Sequence, residues 1–60
     1  MSNNEKTIID MVSKYGKGDL YYMGKCREFN GQYVILEKNN DVFLATKTQK
    51  EMIEKLSRII

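Results

Sequence analysis

The chain contains no histidine, and its one thiol is Cys26. Histidine most often carries general acid–base work near neutral pH, so that chemistry lacks its usual agent. A structural zinc site takes four nitrogen, sulfur or oxygen ligands, and one thiol without histidine is a poor start. A cysteine nucleophile needs a base beside it. Lys25 and Arg27 flank Cys26 in sequence, but in a strand they project to the opposite face, so Cys26 reads as a small buried hydrophobe. Asp10, Asp19 and Asp41 fall on a helix, before a strand and in a turn, with no spacing that gathers them. Gly16-Lys17-Gly18-Asp19 has the composition of a phosphate loop, yet it lacks P-loop spacing and follows a helix instead of preceding one. It reads as a helix exit. The expectation is a non-enzyme with no metal and no cofactor.

Cations are the other group that could do chemistry. Lys47, Lys50, Lys55 and Arg58 dot the end of the chain, and a helix starting near Lys47 and Lys50 would favour anions at its N-terminus. A phosphate backbone could dock there. Glu51 and Glu54 interleave, however, and form ordinary i,i+4 pairs with Lys55 and Arg58 on a solvated face. Ten basic against eight acidic residues leave +2. A dedicated nucleic-acid binder often shows a larger, clustered excess, so the charge permits nucleic acid without arguing for it. Tyr21, Phe29 and Phe43 are able to stack on bases, although such rings more often serve a core or a protein contact.

The elements that must position these residues are legible from periodicity. Ser2 and Glu5 have capping-box spacing, and Ile8, Met11, Val12 and Tyr15 recur at helical intervals, which predicts a helix over 2–15. Gly16 is placed to leave that helix in a left-handed conformation. A strand is predicted over 20–29, and Asn30-Gly31 is a two-residue hairpin signal, because a type I′ turn needs positive φ twice. The returning strand covers 32–38 and holds the apolar run Tyr33-Val34-Ile35-Leu36. Asn39-Asn40 turns the chain into a third strand over 42–47. Thr48 and Glu51 repeat the capping-box spacing and open a last helix to Ile60, with Met52, Ile53, Leu56, Ile59 and Ile60 as its apolar stripe. The expected fold is α+β: a three-stranded antiparallel meander with one helix at each end, a single small domain over 1–60.

With the hairpin at Asn30-Gly31, Arg27 opposes Val34, Cys26 opposes Ile35 and Lys25 opposes Leu36. A two-residue second turn sets Leu36 against Phe43 and Ile35 against Leu44. One face then holds Leu20, Tyr22, Cys26, Tyr33, Ile35, Val42 and Leu44; without Lys or Arg, it is the expected core. The other holds Tyr21, Met23, Phe29, Val34, Leu36, Phe43 and Ala45, with Lys25 and Arg27. Both faces are apolar, whereas a half-solvated antiparallel sheet alternates. Either one helix covers each face, or both share one and a partner meets the other. A three-residue second turn would swap the faces of the third strand.

Sixty residues bury a thin core, about 60% of the unfolded surface, and chains of this size commonly recruit disulfides, a metal or a second subunit. With the first two excluded or disfavoured, a homodimer is expected. A lone cysteine beside four methionines suits a reducing, cytoplasmic setting. The longest apolar stretches, about four residues, are far short of a membrane span. The Met-Ser-Asn-Asn start is that expected of a complete natural chain.

The α-β-β-β-α order resembles the double-stranded-RNA-binding domain, and the small toxin ribonucleases of some toxin–antitoxin pairs that share its outline. The resemblance spans the whole chain as topology. It implies a lysine-rich start to the last helix, echoed in part by Lys47 and Lys50. The family's longer loop between the first two strands is here expected to be the tight Asn30-Gly31 turn, and the histidine on which the toxin ribonucleases depend is absent.

The functional expectation is a non-catalytic binding protein that regulates or inhibits a protein partner by contact, of the kind that phages and mobile elements carry as accessory proteins. Its expected interface is Tyr21, Met23, Lys25, Arg27, Val34, Leu36 and Phe43. The alternative is a nucleic-acid-binding regulator using Lys47, Lys50, Lys55 and Arg58.

Overall fold

A computed structural model describes residues 3–59. Ser2 and Ile60, expected as a cap and as the end of an apolar stripe, lie outside the described residues. The order is α1 (Asn3–Gly16), β1 (Leu20–Cys26), a 3-10 turn η1 (Arg27–Phe29), β2 (Gln32–Glu37), β3 (Val42–Thr46) and α2 (Gln49–Ile59). The strands form one antiparallel sheet in the order β1-β2-β3. The expected α-β-β-β-α meander is therefore the observed one.

Both helices lie on the same side of the sheet. Ile8 and Val12 of α1, Met52 and Leu56 of α2, and Ile35 of β2 form one buried cluster, and α1 packs on α2 as well as on β1. Each helix supplies its pair at i,i+4 spacing, the geometry that aligns side chains along one stripe. The stripes end sooner than the periodicity predicts, since Tyr15 and Ile59 are exposed.

α2 begins as its cap predicts. The Thr48 hydroxyl accepts a hydrogen bond from the Glu51 N–H at 3.1 Å. The reciprocal half of the box is displaced by one residue: the Glu51 carboxylate accepts from the Lys47 N–H at 3.4 Å.

The first hairpin differs from expectation. Asn30 and Gly31 do adopt positive φ, 59° and 75°, but they finish a wider connection. The ladder closes at Cys26–Gln32, while the Asn30 N–H donates to the Arg27 carbonyl at 3.1 Å and the Gly31 N–H to the Cys26 carbonyl at 2.9 Å. A two-residue turn would have set Glu28 against Tyr33 on the core side, where a carboxylate is costly to bury. In the 3-10 turn Glu28 is exposed, and Tyr22 takes the place beside Ile35.

Two β-bulges then decide which residues share a face. Ile35 pairs with Tyr22 where Cys26 was expected, a shift of four residues, so Leu20 and Tyr22 keep the expected core side. Met23 is the extra residue. Beyond it Lys25 pairs with Tyr33 in place of Leu36, an odd shift of three, which moves Lys25 and Cys26 to the opposite faces from those predicted. In the second hairpin the turn takes three residues: the Asn40 N–H donates to the Glu37 carbonyl at 2.9 Å, the Glu37 N–H to the Asp41 carbonyl at 2.8 Å, and Asn40 has φ 70°. Leu36 consequently opposes Val42, and a bulge at Phe43 restores the expected Ile35–Leu44 pair.

The helix exit is also reassigned. Lys17, not Gly16, takes the left-handed conformation, at φ 49°. Gly16 is needed for another reason, because a Cβ there would sit 2.8 Å from Cβ and Cγ of Leu20.

Two predictions follow from this packing. Leu56→Ala removes a fully buried side chain and should cost about 2–5 kcal/mol, against a total near 3–9 kcal/mol for a domain this small; urea titration should find it largely unfolded or close to it. Gly16→Ala should lose about 1–3 kcal/mol by overpacking, while Lys17→Gly should leave stability equal or raise it by up to about 1 kcal/mol as left-handed strain is relieved. In thermal melts, a Gly16→Ala variant as stable as the wild type would remove the Leu20 constraint, and a Lys17→Gly variant clearly less stable than the wild type would remove the strain at Lys17.

Candidate interaction face

With both helices on one side, the other side of the sheet is free of them. The pairing places Tyr21, Leu36 and Val42 in one row across the three strands. Tyr21 is 50% and Val42 45% exposed, with Leu36 half-buried between them. The adjacent row is Gly24, Val34 and Ala45, and Cys26 and Gln32 pair beyond it. No acidic or basic side chain occupies these positions.

Of the residues expected at an interface, Tyr21 and Leu36 are brought side by side on this outer face. Met23, at the bulge, is 51% exposed. Val34 lies on the same face but is fully buried, in the strand against which η1 packs; Phe29 of η1 is half-buried. Lys25 stands on the core-side parity at the hairpin end and is exposed, as is Arg27 within η1. Phe43 is corrected to the helix side: its ring meets that of Tyr15 with centroids 6.0 Å apart and planes tilted by 42°, and it packs against the core cluster. The three-residue turn explains this, since it gives the outer position to Val42. Sequence reasoning put Val42 in the core; the signal that could have corrected it was the Asn39-Asn40-Asp41 run, which suits a three-residue loop as well as a two-residue one. There Asn39 donates from its side-chain amide to the Asp41 carboxylate at 2.9 Å.

Cys26 is half-buried on the outer face, its Sγ 3.6 Å from the Gly24 carbonyl oxygen. Among the described residues no group of three or more cysteine, aspartate or glutamate side chains converges as metal ligands would. Among them, too, no helix is long and apolar enough to cross a membrane. A shallow open depression lies at the sheet end where α1 exits, lined by Tyr15, Leu20 and Phe43 and ringed by Lys17, Lys38, Asp19 and Glu37. Its lining carries both signs of charge.

The cations of α2 and of its approach form a separate surface on the helix side. Lys47, Lys50, Lys55 and Arg58 are all exposed. On a helical projection of about 100° per residue, Lys50, Arg58 and Lys55 share one arc with Glu51 and Glu54. Glu51 pairs with Lys55 at 3.9 Å; among the described residues the expected Glu54–Arg58 pair does not close to that distance. The helix is anchored at its start by the Gln49 side-chain amide, which donates to the Tyr22 hydroxyl at 3.0 Å. Burial of Tyr22 raises its pKa above the ordinary 10.0 because the phenolate would be poorly solvated, while the Gln49 bond acts in the opposite sense.

Comparison with protein-family models, curated proteins and solved structures found no match to this chain.

The Tyr22 shift has a defined sign. Its folded pKa lies above the unfolded one, so the native state keeps a proton that the unfolded chain releases, and stability falls as pH rises above about 10. Chemical denaturation across the alkaline range should show this loss. Tyr22→Phe should flatten it, at a constant cost of about 0.5–1.5 kcal/mol for the lost Gln49 bond; an unchanged alkaline slope would remove Tyr22 as its source.

Proposed function

We propose that this chain is a small non-catalytic binding protein that regulates or inhibits a protein partner by direct contact through the outer face of its sheet. The observation that carries this is the placement of both helices on one side. It leaves the Tyr21–Leu36–Val42 row uncovered, and apolar groups gathered in one exposed patch are the usual mark of a contact surface. A homodimer, a cytoplasmic setting and a phage or mobile-element accessory role belong to the same proposal. They draw support from the chain's size and composition.

The expected interface is revised accordingly. Tyr21, Met23, Leu36 and Val42 make the contact, with Arg27 at the rim. Val34 supports them from beneath, and Phe43 serves the core.

The test is capture on immobilised protein from extracts of the native cell. Val42→Lys and Tyr21→Lys change exposed positions and should lower recovery of a bound protein at least tenfold, whereas Arg58→Glu, on the helix side, should leave it unchanged. Recovery that survives both outer-face changes would sink the proposal. Duplex RNA or DNA binding that weakens steeply with salt and disappears in Lys50→Glu would instead favour a nucleic-acid role for the α2 cations.

A further inference from the structure

We propose that Asn30 is a self-modification site that the first hairpin holds latent. It converts to aspartate and isoaspartate when that hairpin opens, and the isoaspartate form cannot close it again.

The chemistry needs no residue outside the turn. Asn30 is the one asparagine in the chain followed by glycine. Because Gly31 has no Cβ, its main-chain nitrogen meets little steric resistance in approaching the Asn30 side chain. That nitrogen, after giving its proton to a solvent base, attacks Cγ of Asn30. The N–Cγ bond forms, the Cγ–Nδ2 bond breaks, and the amide nitrogen leaves as ammonia with a proton taken from water. A water molecule then opens the five-membered imide. Cleavage at Cγ leaves an aspartate. Cleavage at the main-chain carbonyl leaves an isoaspartate, whose backbone runs through the former side chain and is longer by one methylene. An amide and a water thus become a carboxylic acid and ammonia, with no oxidant or reductant. Asn3, Asn4, Asn39 and Asn40 all precede residues that carry a Cβ, and the Asn39 amide is also bonded to Asp41.

The closed turn opposes the first step. Ring closure requires Cβ of Asn30 to lie nearly eclipsed with the Gly31 nitrogen about the Cα–C bond. Asn30 has φ 59° and ψ 32°, and at that ψ the tetrahedral Cα sets Cβ nearly trans to the same nitrogen. The Gly31 N–H is committed as well, donating to the Cys26 carbonyl at 2.9 Å, while the Asn30 N–H donates to the Arg27 carbonyl at 3.1 Å. The reactive ψ is therefore reached only when these bonds break. Arg27, Glu28 and Asn30 are exposed, and the ladder ends at Cys26–Gln32. Exposed turns held by a few surface hydrogen bonds are among the first segments to open locally.

The two products differ in what they do to the turn. Aspartate tolerates the left-handed conformation as asparagine does. The stem of Lys25 crosses this turn, its Cε 3.7 Å from the position a Cβ on Gly31 would take, so a cation is at hand for the new carboxylate. In the isoaspartate form the Gly31 nitrogen is displaced by one main-chain atom, and its bond to the Cys26 carbonyl loses its geometry. A transient opening is thereby converted into a lasting one, with the net charge lowered by one from +2.

The test is incubation of the full chain at mildly alkaline pH, with and without guanidinium chloride, followed by peptide mapping that separates aspartate from isoaspartate. In denaturant Asn30 should convert before every other asparagine; in native buffer it should convert at least tenfold more slowly, because only the open fraction reacts. Hydrogen exchange in native buffer then reads the consequence. The Gly31 amide should be protected in the wild type and in Asn30→Asp, and unprotected in the purified isoaspartate form. Rates within a few-fold of each other in the two solvents overturn the latency, and earlier conversion of another asparagine in denaturant overturns the site. Protection of Gly31 in the isoaspartate form, or its loss in Asn30→Asp, overturns the proposed difference between the products.

Discussion

Ile35 is the contact around which this structure is arranged. It is fully buried at the centre of the middle strand and shares one buried cluster with Ile8, Val12, Met52 and Leu56 from two helices. A chain of 60 residues has too few large apolar side chains to build a core on each side of a sheet. One compact cluster removes more apolar surface per side chain than two thin ones, because each buried group is surrounded on more sides. Once Ile35 faces both helices, strand alternation obliges Val34 and Leu36 to face away. The uncovered outer row is thus a consequence of how the core is made.

The two bulges reconcile that core with the turns. The first connection spends Arg27–Phe29 on a 3-10 turn and keeps Glu28 out of the sheet. The bulge at Met23 then allows Leu20 and Tyr22 to reach the core side while Cys26 pairs with Gln32 on the other. In the second hairpin the three-residue turn and the bulge at Phe43 have opposite effects on parity, so Leu44 returns to the core while Val42 is left outside. Bulges at sheet edges commonly re-aim a side chain in this way, and β1 and β3 are the two edge strands. Here they transfer one aromatic ring inward, to Tyr15, and one valine outward.

The outer face and the α2 cations differ in kind. The face is uncharged and gathered into rows by backbone pairing, so its geometry is as rigid as the sheet. The cations ride on flexible stems and share their arc with Glu51 and Glu54, one of which is already engaged with Lys55. Exposed pairs of that sort contribute little, about 0–1 kcal/mol, and solvent screens them. A specific contact is more naturally built on the sheet.

Local signals in the sequence determined the elements. The i,i+4 pairs Ile8–Val12 and Met52–Leu56, the Thr48 cap and the apolar run of β2 act over a few residues, and each appears where its spacing implies. The positive φ of Asn30 and Gly31 was equally legible, because it is a property of those two residues. What they could not determine was register. Asn-Gly permits a two-residue turn, but where the ladder closes depends on whether Glu28 or Tyr22 sits beside the core, and that is a contact between elements distant in sequence. The same holds at Gly16, which composition marks as a left-handed exit and packing reserves for Leu20. Parity along a strand reverses with every single-residue shift, so Phe43 and Val42 exchanged roles although both strands were correctly anticipated. Which side both helices would take, and hence which face stays open, followed only when the one affordable core formed around Ile35.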